Sequence, residues 1–453
     1  MGMLNDTFKE LLEVLNKSNA GDPKALNSLG LMCENGKVVE QDYKEAIRLY
    51  KLAADNGFAD AQNNLGLMYA RGKGVKQDYK EAVELFRLSA AQKSANAQAN
   101  LGYMYFEGRG VARDYREAAA LYKLAADQGL ARAQANLGYM YFEGKGVTRD
   151  YKEAVRLYGL AVKQGDVRAQ AHLGYMYAWG KGVDQDYKEA VRLYKLAADQ
   201  GNTDAQANLG YMYAWGKGVE QDYKEAVRLY KLAADQGNAK AQANLGYMYF
   251  EGKGVEQDYK EAVRLYKLAA DQGDAEAQTD LGQRYEKGIG VDQDYKEAFR
   301  LYGLAAEQGN ATAQFKTGQM YEIVLFDKDY AKAAMWYDLA AKQNESQAQY
   351  RLGILYKEGR PGVGVNYAKA KELLETAAKT YDTDAHALNA LFELGDMYEN
   401  GLGVEKNMAL AYKYYAVAAK KGHPRAVKKI EGQPFKISEI LELMGDSLHI
   451  HKK

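Results

Sequence analysis

The stretch that decides the fold is residues 58–93, FADAQNNLGLMYARGKGVKQDYKEAVELFRLSAAQK. Its Leu-Gly pair returns every 36 residues without slippage, and an Asp-Tyr pair keeps the same step. A fixed period of this length indicates one supersecondary unit copied in tandem, in which each copy is covered by its neighbours. The eight regular pairs are Leu29-Gly30, Leu65-Gly66, Leu101-Gly102, Leu137-Gly138, Leu173-Gly174, Leu209-Gly210, Leu245-Gly246 and Leu281-Gly282.

The first half of each repeat has the pattern of a helix, called here the A helix. In residues 58–93, Ala61, Leu65 and Tyr69 recur at spacings of four, which places them on one helical face. Gly66 lies on a neighbouring stripe, where the missing side chain allows another helix to approach closely. Good N-cap residues, such as Asp22 and Ser94, precede many copies of this helix.

The second half of each repeat predicts a turn and then a B helix. Gly72-Lys73-Gly74-Val75 predicts the turn, because its glycines permit positive φ. Asp78 and Glu81 then have the spacing of a capping box, in which the glutamate reaches back to the cap. The predicted fold class is therefore all-α, a solenoid of tandem helix-turn-helix repeats.

The chain is predicted to consist of three segments. Residues 22–422 hold about eleven repeats, and residues 1–21 form an N-terminal capping helix. Residues 423–453 form C-terminal capping helices and a tail. Capping helices are expected because the outer face of a terminal repeat has no neighbour to cover it.

The bulk composition excludes several classes of protein. Lys+Arg and Asp+Glu both total 61, so the formal net charge is zero, unlike the basic footprint of a nucleic-acid binder. The single cysteine, Cys33, excludes an internal disulfide framework. No apolar run approaches the ~20 residues of a membrane span, and the N-terminus lacks the features of a secretory signal. We therefore expect no nucleic-acid partner, no membrane insertion, and a cytoplasmic location or export without an N-terminal signal.

The repeat pattern resembles a known family. Ala-x-Ala-Gln-x-x-Leu-Gly-x-Met-Tyr, followed by Gly-x-Gly-Val and Asp-Tyr, is similar to the Sel-1-like repeat, a relative of the tetratricopeptide repeat. The resemblance implies a right-handed α/α superhelix with A helices on its concave face and B helices outside. It also implies adaptor or scaffold roles, in bacteria often in contact with host cells or membrane-linked machinery. Cysteine-rich members credited with β-lactam hydrolysis carry a disulfide in every repeat, and this chain does not.

A candidate binding groove follows from A-helix positions that packing does not need. In the third repeat these are Asn100, Tyr103 and Glu107, at helical spacings of three and four. By analogy with tetratricopeptide arrays, the asparagine is expected to hydrogen-bond a partner's main chain and the tyrosine to contact its side chains. The predicted partner-binding residues are Asn100, Tyr103, Asn136, Tyr139, His172, Tyr175, Trp179, Asn208, Tyr211, Trp215, Asn244 and Tyr247.

The hypothesis is that an extended or proline-rich segment of another protein runs along repeats three to seven. A polyproline-like chain advances ~3.1 Å per residue and neighbouring helices lie ~8–10 Å apart, so about three partner residues match one repeat. The alternative is that the tyrosines pack against adjacent A helices and the asparagines bond neighbouring repeats. For Trp179 and Trp215 we favour binding, because tryptophans dominate binding hot spots.

A second candidate surface lies where the period breaks. Ile323, Val324, Leu325 and Phe326 replace the glycine turn of repeat nine. Four consecutive apolar residues in a turn are either buried against the next repeat or form an exposed patch. Recognition of a partner is therefore expected from either the groove or this irregular end.

No catalytic constellation is found in the sequence. His172 stands in the asparagine series without a nucleophile at a repeatable spacing, and His449 and His451 lie in the tail without a metal-site pattern. We therefore predict a non-enzymatic protein-interaction scaffold without a cofactor or metal. The alternatives are a carbohydrate-binding solenoid, since tryptophan, tyrosine and asparagine also suit sugar rings, and a β-lactamase-like enzyme.

Overall fold

The structure, a computed structural model, describes residues 2–322, 328–379 and 385–431. All regular structure in these ranges is helical, without a strand. The helices are α1 (Gly2–Asn19), α2 (Pro23–Asn35), α3 (Tyr43–Asp55), α4 (Ala59–Arg71), α5 (Tyr79–Ala91), α6 (Ala95–Glu107), α7 (Tyr115–Asp127), α8 (Ala131–Glu143), α9 (Tyr151–Lys163), α10 (Val167–Trp179), α11 (Tyr187–Asp199), α12 (Thr203–Trp215), α13 (Tyr223–Asp235), α14 (Ala239–Glu251), α15 (Tyr259–Asp271), α16 (Ala275–Lys287), α17 (Tyr295–Glu307), α18 (Ala311–Glu322), α19 (Tyr330–Ala341), α20 (Ser346–Glu358), α21 (Tyr367–Ala378), α22 (Ala385–Asn400), α23 (Met408–Lys420) and α24 (Pro424–Glu431).

The helices are arranged in antiparallel pairs. The even-numbered helices α2 to α22 are A helices. Those from α2 to α10 and from α14 to α22 each pack against the B helix that follows. The all-α solenoid of tandem helix-turn-helix repeats predicted from the sequence is therefore confirmed. At the ends of the described chain, α1 covers α2 and α24 covers α23. Two compact units make up the chain, Met1–Leu232 and Ala233–Lys453, and the boundary falls within α13.

The glycine of each Leu-Gly pair faces a large side chain of its own B helix. A Cβ placed on Gly102 in α6 would lie 3.1 Å from the ring of Tyr122, and one on Gly282 in α16 would lie 2.7 Å from the ring of Tyr302. Both tyrosines are buried. The close approach predicted at this glycine is confirmed, and an aromatic side chain is what fills the space.

The hydrophobic core is shared between successive repeats. In unit 1, one buried cluster combines Tyr122 of α7 with Leu137 and Met140 of α8 and with Leu157 of α9. In unit 2, an equivalent cluster joins Tyr266 of α15 with residues of α16 and α17. Within each unit, these clusters show a B helix covered by the next repeat, as expected for a unit too small to bury its apolar face alone.

A buried glutamine adds a polar link between successive repeats. Gln134 of α8 donates its amide to the carbonyl of Ala126 in α7, at 3.3 Å, and accepts from Gln164 of its own repeat at 3.0 Å. The same arrangement recurs at Gln242 in unit 2. Because a buried amide without partners is costly, this network fixes how one repeat is placed on the next. The repeat pattern alone did not predict this glutamine link.

The helix caps agree with the sequence in part. Asp22 and Ser94 accept from backbone N–H groups at the starts of α2 and α6, as predicted. At the start of α9, Asp150 likewise accepts from two N–H groups, but Glu153 binds Arg156 instead of returning to the cap. That half of the capping-box prediction is wrong, because the N–H of Asp150 already donates to the carbonyl of Tyr141, at 3.0 Å.

The turn between the two helices places a cation beside the A helix. Gly144 and Gly146 adopt φ of 73° and 71°, a region that side chains disfavour. A Cβ on Gly146 would also collide with the main chain of Tyr115 at the start of the preceding B helix. The turn is therefore pinned against the previous repeat, and Lys145 between the glycines has a fixed position.

Gly282→Ala is predicted to destabilise the protein, because the added methyl group meets the ring of Tyr302. Overpacking of this kind costs about 1–3 kcal/mol. The matched control is Gly303→Ala, in the B helix of the same repeat, where a Cβ meets nothing within 4 Å. The control should stabilise by about 0.5–1 kcal/mol through helix propensity. Urea unfolding midpoints measure both, and equal shifts for the two variants would contradict the proposed ring contact.

Candidate functional site

The candidate site lies on the exposed side of the A helices of unit 1, called here the A face. On α8 it is formed by Arg132, Asn136, Tyr139 and Glu143, and on α4, α6, α10 and α12 by the equivalent residues. Spacings of four, three and four place these residues on one side of a helix. The A helices of neighbouring repeats contact one another directly, as α2 does with α4 and α4 with α6.

The asparagines of the A face differ in their burial and in the hydrogen bonds that their side-chain amides make. Asn100 is only 8% exposed, and its amide donates to Asn63 of the previous repeat at 2.8 Å. Asn64 makes the equivalent bond to Asn27, at 3.0 Å. Here the asparagine links repeats, as in the alternative interpretation. Asn136 and Asn208 are half-buried, and Asn136 lines two cavities described below.

The tyrosines of the A face are held by the cations of the turns. Tyr139, Tyr175 and Tyr211 are half-buried, whereas Tyr103 is exposed. Lys145 donates to the hydroxyl of Tyr139, at 3.3 Å. The same hydrogen bond recurs in the next two repeats, between Lys181 and Tyr175 at 3.2 Å and between Lys217 and Tyr211 at 2.9 Å. This hydrogen bond raises the pKa of Lys145 and Lys217. The ammonium groups also lie over the rings, 4.9 Å from the centroids of Tyr175 and Tyr211.

These lysines are the main feature that the sequence analysis missed. The sequence predicts a turn at Gly72-Lys73-Gly74-Val75 and its copies, but no role for the cation. The available signal was the return of a basic residue between the two glycines at the same 36-residue step. Fixing the tyrosine hydroxyls reduces the side-chain freedom that a ligand would otherwise have to restrict.

Trp179 and Trp215 are the most exposed aromatic side chains of the A face. They are 56% and 59% exposed, at the C-terminal ends of α10 and α12. Each ring lies beside the tyrosine one turn earlier, with 6.1 Å between the ring centroids. The two tryptophans occupy equivalent positions in neighbouring repeats and therefore form a repeated aromatic step.

His172 takes the asparagine position in α10. Its ring is solvent-accessible, and it stacks on Tyr158 with ring centroids 5.3 Å apart and 14° between the planes. Crowding by surrounding protein atoms lowers the pKa of His172, and the neighbouring carboxylate of Asp204 only partly opposes this. The ring therefore adds to the aromatic lining of the A face.

Two adjoining cavities open on the A face between α4 and α10. Their volumes are about 290 and 310 Å³, and both are lined by Tyr103, Asn136 and Arg168. The first also contains Arg71 and Arg132, and the second His172. Tyr139 also lines the second cavity, so four predicted groove residues, Tyr103, Asn136, Tyr139 and His172, border the same space.

The remaining predicted residues lie elsewhere. Asn244 and Tyr247 belong to unit 2, where Lys253 donates to the Tyr247 hydroxyl at 2.8 Å and so repeats the arrangement seen in unit 1. Ile323, Val324, Leu325 and Phe326 lie outside the described residues. Cys33 is a buried free thiol.

Within the described ranges, no cluster of three or more His, Cys, Asp or Glu side chains has the geometry of a metal site. Over the same residues, no helix combines the length and the apolar character that crossing a membrane requires.

Asp280 replaces the asparagine in α16 of unit 2. Burial raises the pKa of this carboxyl to about 6, and the neighbouring Arg284 only partly opposes the shift. The Arg284 guanidinium lies 3.7 Å from the centroid of the Phe250 ring and donates to the Asp280 carbonyl at 3.3 Å. It is therefore engaged in contacts other than an ion pair with the carboxylate.

Comparison with protein families settles the class of repeat. The model of the Sel1 repeat family matches the chain eleven times, at residues 23–58, 59–94, 95–130, 131–166, 167–202, 203–238, 239–274, 275–310, 311–345, 346–379 and 388–423. The chain belongs to the Sel1 repeat family. The resemblance noted from the motif is thereby confirmed. No curated protein matches the chain.

Solved structures of Sel1 repeat proteins resemble this one. A protective antigen present in uropathogenic Escherichia coli strains, which displays an SLR fold, is 34% identical, with a TM-score of 0.75; the match covers 96% of this chain and 93% of that one. A Sel1 repeat protein from Oxalobacter formigenes is 32% identical, with a TM-score of 0.50, covering 54% of this chain and 96% of that one. Sel1 repeat solenoids are generally non-enzymatic scaffolds for protein interactions.

Asp280→Asn is predicted to stabilise the protein in a pH-dependent way. The pKa of Asp280 is higher in the folded than in the unfolded chain, so the wild-type free energy of unfolding falls as pH rises from about 4 to 6. Removing the charge should add about 1–2 kcal/mol at pH 7.5 and about a third of that at pH 4.5. Urea unfolding at both pH values measures this, with Asp292→Asn in an exposed turn as the control. An equal gain at both pH values would contradict the assignment.

Proposed function

We propose that the chain is a non-enzymatic scaffold or adaptor whose unit 1 binds an extended segment of a partner protein along the A face. The observation that carries this proposal is the exposure of Trp179 and Trp215 at equivalent positions of neighbouring A helices. Membership of the Sel1 repeat family supports the general class of function.

The exposed tryptophans offer a large gain on binding. A Trp side chain buries up to about 250 Å², and apolar burial contributes about 25 cal/mol per Å². Covering the exposed half of one ring is therefore worth about 2–3 kcal/mol before the costs of association. Two such rings, set one repeat apart, favour a ligand that advances along the array instead of one that fills a single deep pocket.

The surroundings of the tryptophans favour binding without rearrangement. Tyr175 and Tyr211 lie beside them and are fixed by hydrogen bonds from Lys181 and Lys217. A surface that is already ordered loses little side-chain entropy when a partner binds. Asn208, half-buried on the same helix as Tyr211 and Trp215, is the amide that we assign to a partner main chain, whereas Asn100 serves the contact between repeats.

Unit 2 carries a further copy of the asparagine and tyrosine positions of the A face. Asn244 and Tyr247 on α14 repeat the asparagine and the lysine-bonded tyrosine, and we propose that they contact a partner in the same way. The apolar run from Ile323 to Phe326 stays a prediction of a second surface. The 34%-identical relative is a protective antigen of uropathogenic Escherichia coli, which supports a bacterial protein that meets a host.

The double substitution Trp179→Ala, Trp215→Ala is predicted to weaken partner binding at least ten-fold without changing the thermal unfolding midpoint. Both side chains are exposed, so the fold does not depend on them. Peptides selected on the wild-type protein from a random displayed library serve as ligands, and fluorescence anisotropy measures their affinity for each variant.

The matched control is Leu88→Ala, Leu124→Ala on the B helices α5 and α7. These leucines are 55% and 52% exposed, so the control removes comparably exposed apolar side chains from another surface. It should bind the selected peptides like the wild type. Equal affinity of all three proteins would rule out the A face as the site. Selection of no peptide, together with binding to a glycan array that depends on the tryptophans, would instead favour the carbohydrate-binding alternative.

A further inference from the structure

Four arginines line the first cavity of the A face. They come from different repeats: Arg71 ends α4, Arg109 lies in the turn after α6, and Arg132 and Arg168 stand at equivalent positions near the starts of α8 and α10. None of the described residues that line this cavity is acidic. The cavity therefore concentrates positive charge on a chain whose formal net charge is zero.

Among the described residues, the four guanidinium groups have no close carboxylate partner. Over the described part of the chain, the shortest contact of this kind is between Arg168 and Asp166, at 4.0 Å. By contrast, six arginines on the described B helices pair with a glutamate at 2.6 to 2.7 Å; these are Arg48, Arg156, Arg192, Arg228, Arg264 and Arg300. The arginines of the cavity thus have unused capacity to bind an anion.

Arg132 is the most constrained member of the group. One terminal nitrogen donates to the carbonyl and the side chain of Asn96, at 3.1 and 3.3 Å. Its Nε is buried and has no acceptor among the described residues. Burial is the largest influence that lowers the pKa of Arg132, and the nearby charges of Arg168 and Arg71 lower it further. An anion in the cavity would offset this repulsion between like charges.

Neutral polar side chains complete the lining. Asn100, Asn136 and Tyr103 border the same cavity, and Arg109 lies over the Tyr103 ring, 5.6 Å from its centroid. Guanidinium groups bind carboxylates through two parallel hydrogen bonds, which makes arginine the preferred cation for this group. The arrangement thus combines charge with directed hydrogen bonding.

From this arrangement we infer that Arg71, Arg132 and Arg168 form a pocket for the carboxylate side chains of an acidic segment in the partner protein. The inference rests on the proposed function, because it names the chemistry of the partner that the A face binds. Arg132 and Arg168 stand one repeat apart, ~8–10 Å for adjacent helices. An extended segment advances ~3.1 Å per residue, so its carboxylates match the two arginines when they are about three residues apart.

The charges around the pocket favour a protein segment over a nucleic acid. Binding to a phosphate backbone requires a basic stripe that follows the polymer. Here acidic side chains bound the positive region: Glu107 and Glu143 end α6 and α8, and Asp204 on α12 stands at the position equivalent to Arg168. A short acidic motif fits between these acidic residues, whereas a continuous polyanion would extend past the pocket and be repelled by them.

The test uses the full chain and two synthetic peptides of the same composition, each of about twelve residues. The first carries glutamate at every third position, and the second carries its glutamates in one block. The first should bind more tightly, and Arg132→Gln, Arg168→Gln should weaken its binding at least ten-fold. Other repeats carry Asp60, Asn96 or Asp204 at this position, so the variant should fold. Isothermal titration at low and moderate salt measures affinity, and thermal unfolding verifies folding.

The matched control is Arg116→Gln, Lys123→Gln on α7. Both side chains are exposed, and the change in net charge is the same. The control should bind the spaced acidic peptide like the wild type; an equal loss in both double variants would overturn the pocket in favour of general charge attraction. Tighter binding of a single-stranded RNA of similar length, dependent on Arg132 and Arg168, would overturn the assignment to protein carboxylates.

The outcomes separate this inference from the proposed function. If the library peptides bind through Trp179 and Trp215 but the spaced acidic peptide does not bind, the acidic pocket is overturned and the scaffold function stands. If neither ligand class binds the A face, both the acidic pocket and the proposed scaffold function are overturned. If the spaced peptide binds, and binding requires Arg132 and Arg168 but tolerates the control substitutions, the pocket is established.

Discussion

The contact between a glycine and a buried ring is the constraint on which each repeat depends. A Cβ on Gly102 or Gly282 would meet Tyr122 or Tyr302 at 3.1 or 2.7 Å, so the A and B helices can pack this closely only because that side chain is absent. The buried ring then joins the core completed by the next repeat, as Tyr122 does with Leu137. Pairing within a repeat and stacking between repeats are therefore coupled through one residue.

This coupling explains why the opposite side of the A helix is free to vary. The Leu-Gly face and the glutamine links are occupied by packing, and their residues recur with little change. On the A face, asparagines such as Asn100 still link repeats, but the positions at the two ends of the helix are less constrained. They carry arginine near the start of α8 and α10 and tryptophan at the end of α10 and α12. A uniform frame thus presents a surface whose chemistry changes along unit 1.

The candidate site shows where sequence reasoning reached its limit. The period placed Asn100, Tyr103 and their copies on one side of the A helices, and the structure shows the same positions on the A face. Periodicity could not separate Asn100, whose amide bonds Asn63, from Asn136, which borders two cavities, because both have the same neighbours in sequence. Likewise, Lys145 reaches Tyr139 only because the turn folds back onto the A helix.

The sequence by itself determined the repeat, the helix pair, most caps and the Sel1 class, because these depend on local spacing and on contacts that return at a fixed step. Only the tertiary structure decided that Glu153 pairs with Arg156 instead of the cap, and that Arg71, Arg132 and Arg168 share one cavity. Arg71 and Arg168 are far apart in sequence. They line the same cavity because the A helices stack side by side, and that arrangement is a property of the packed array that no single repeat encodes.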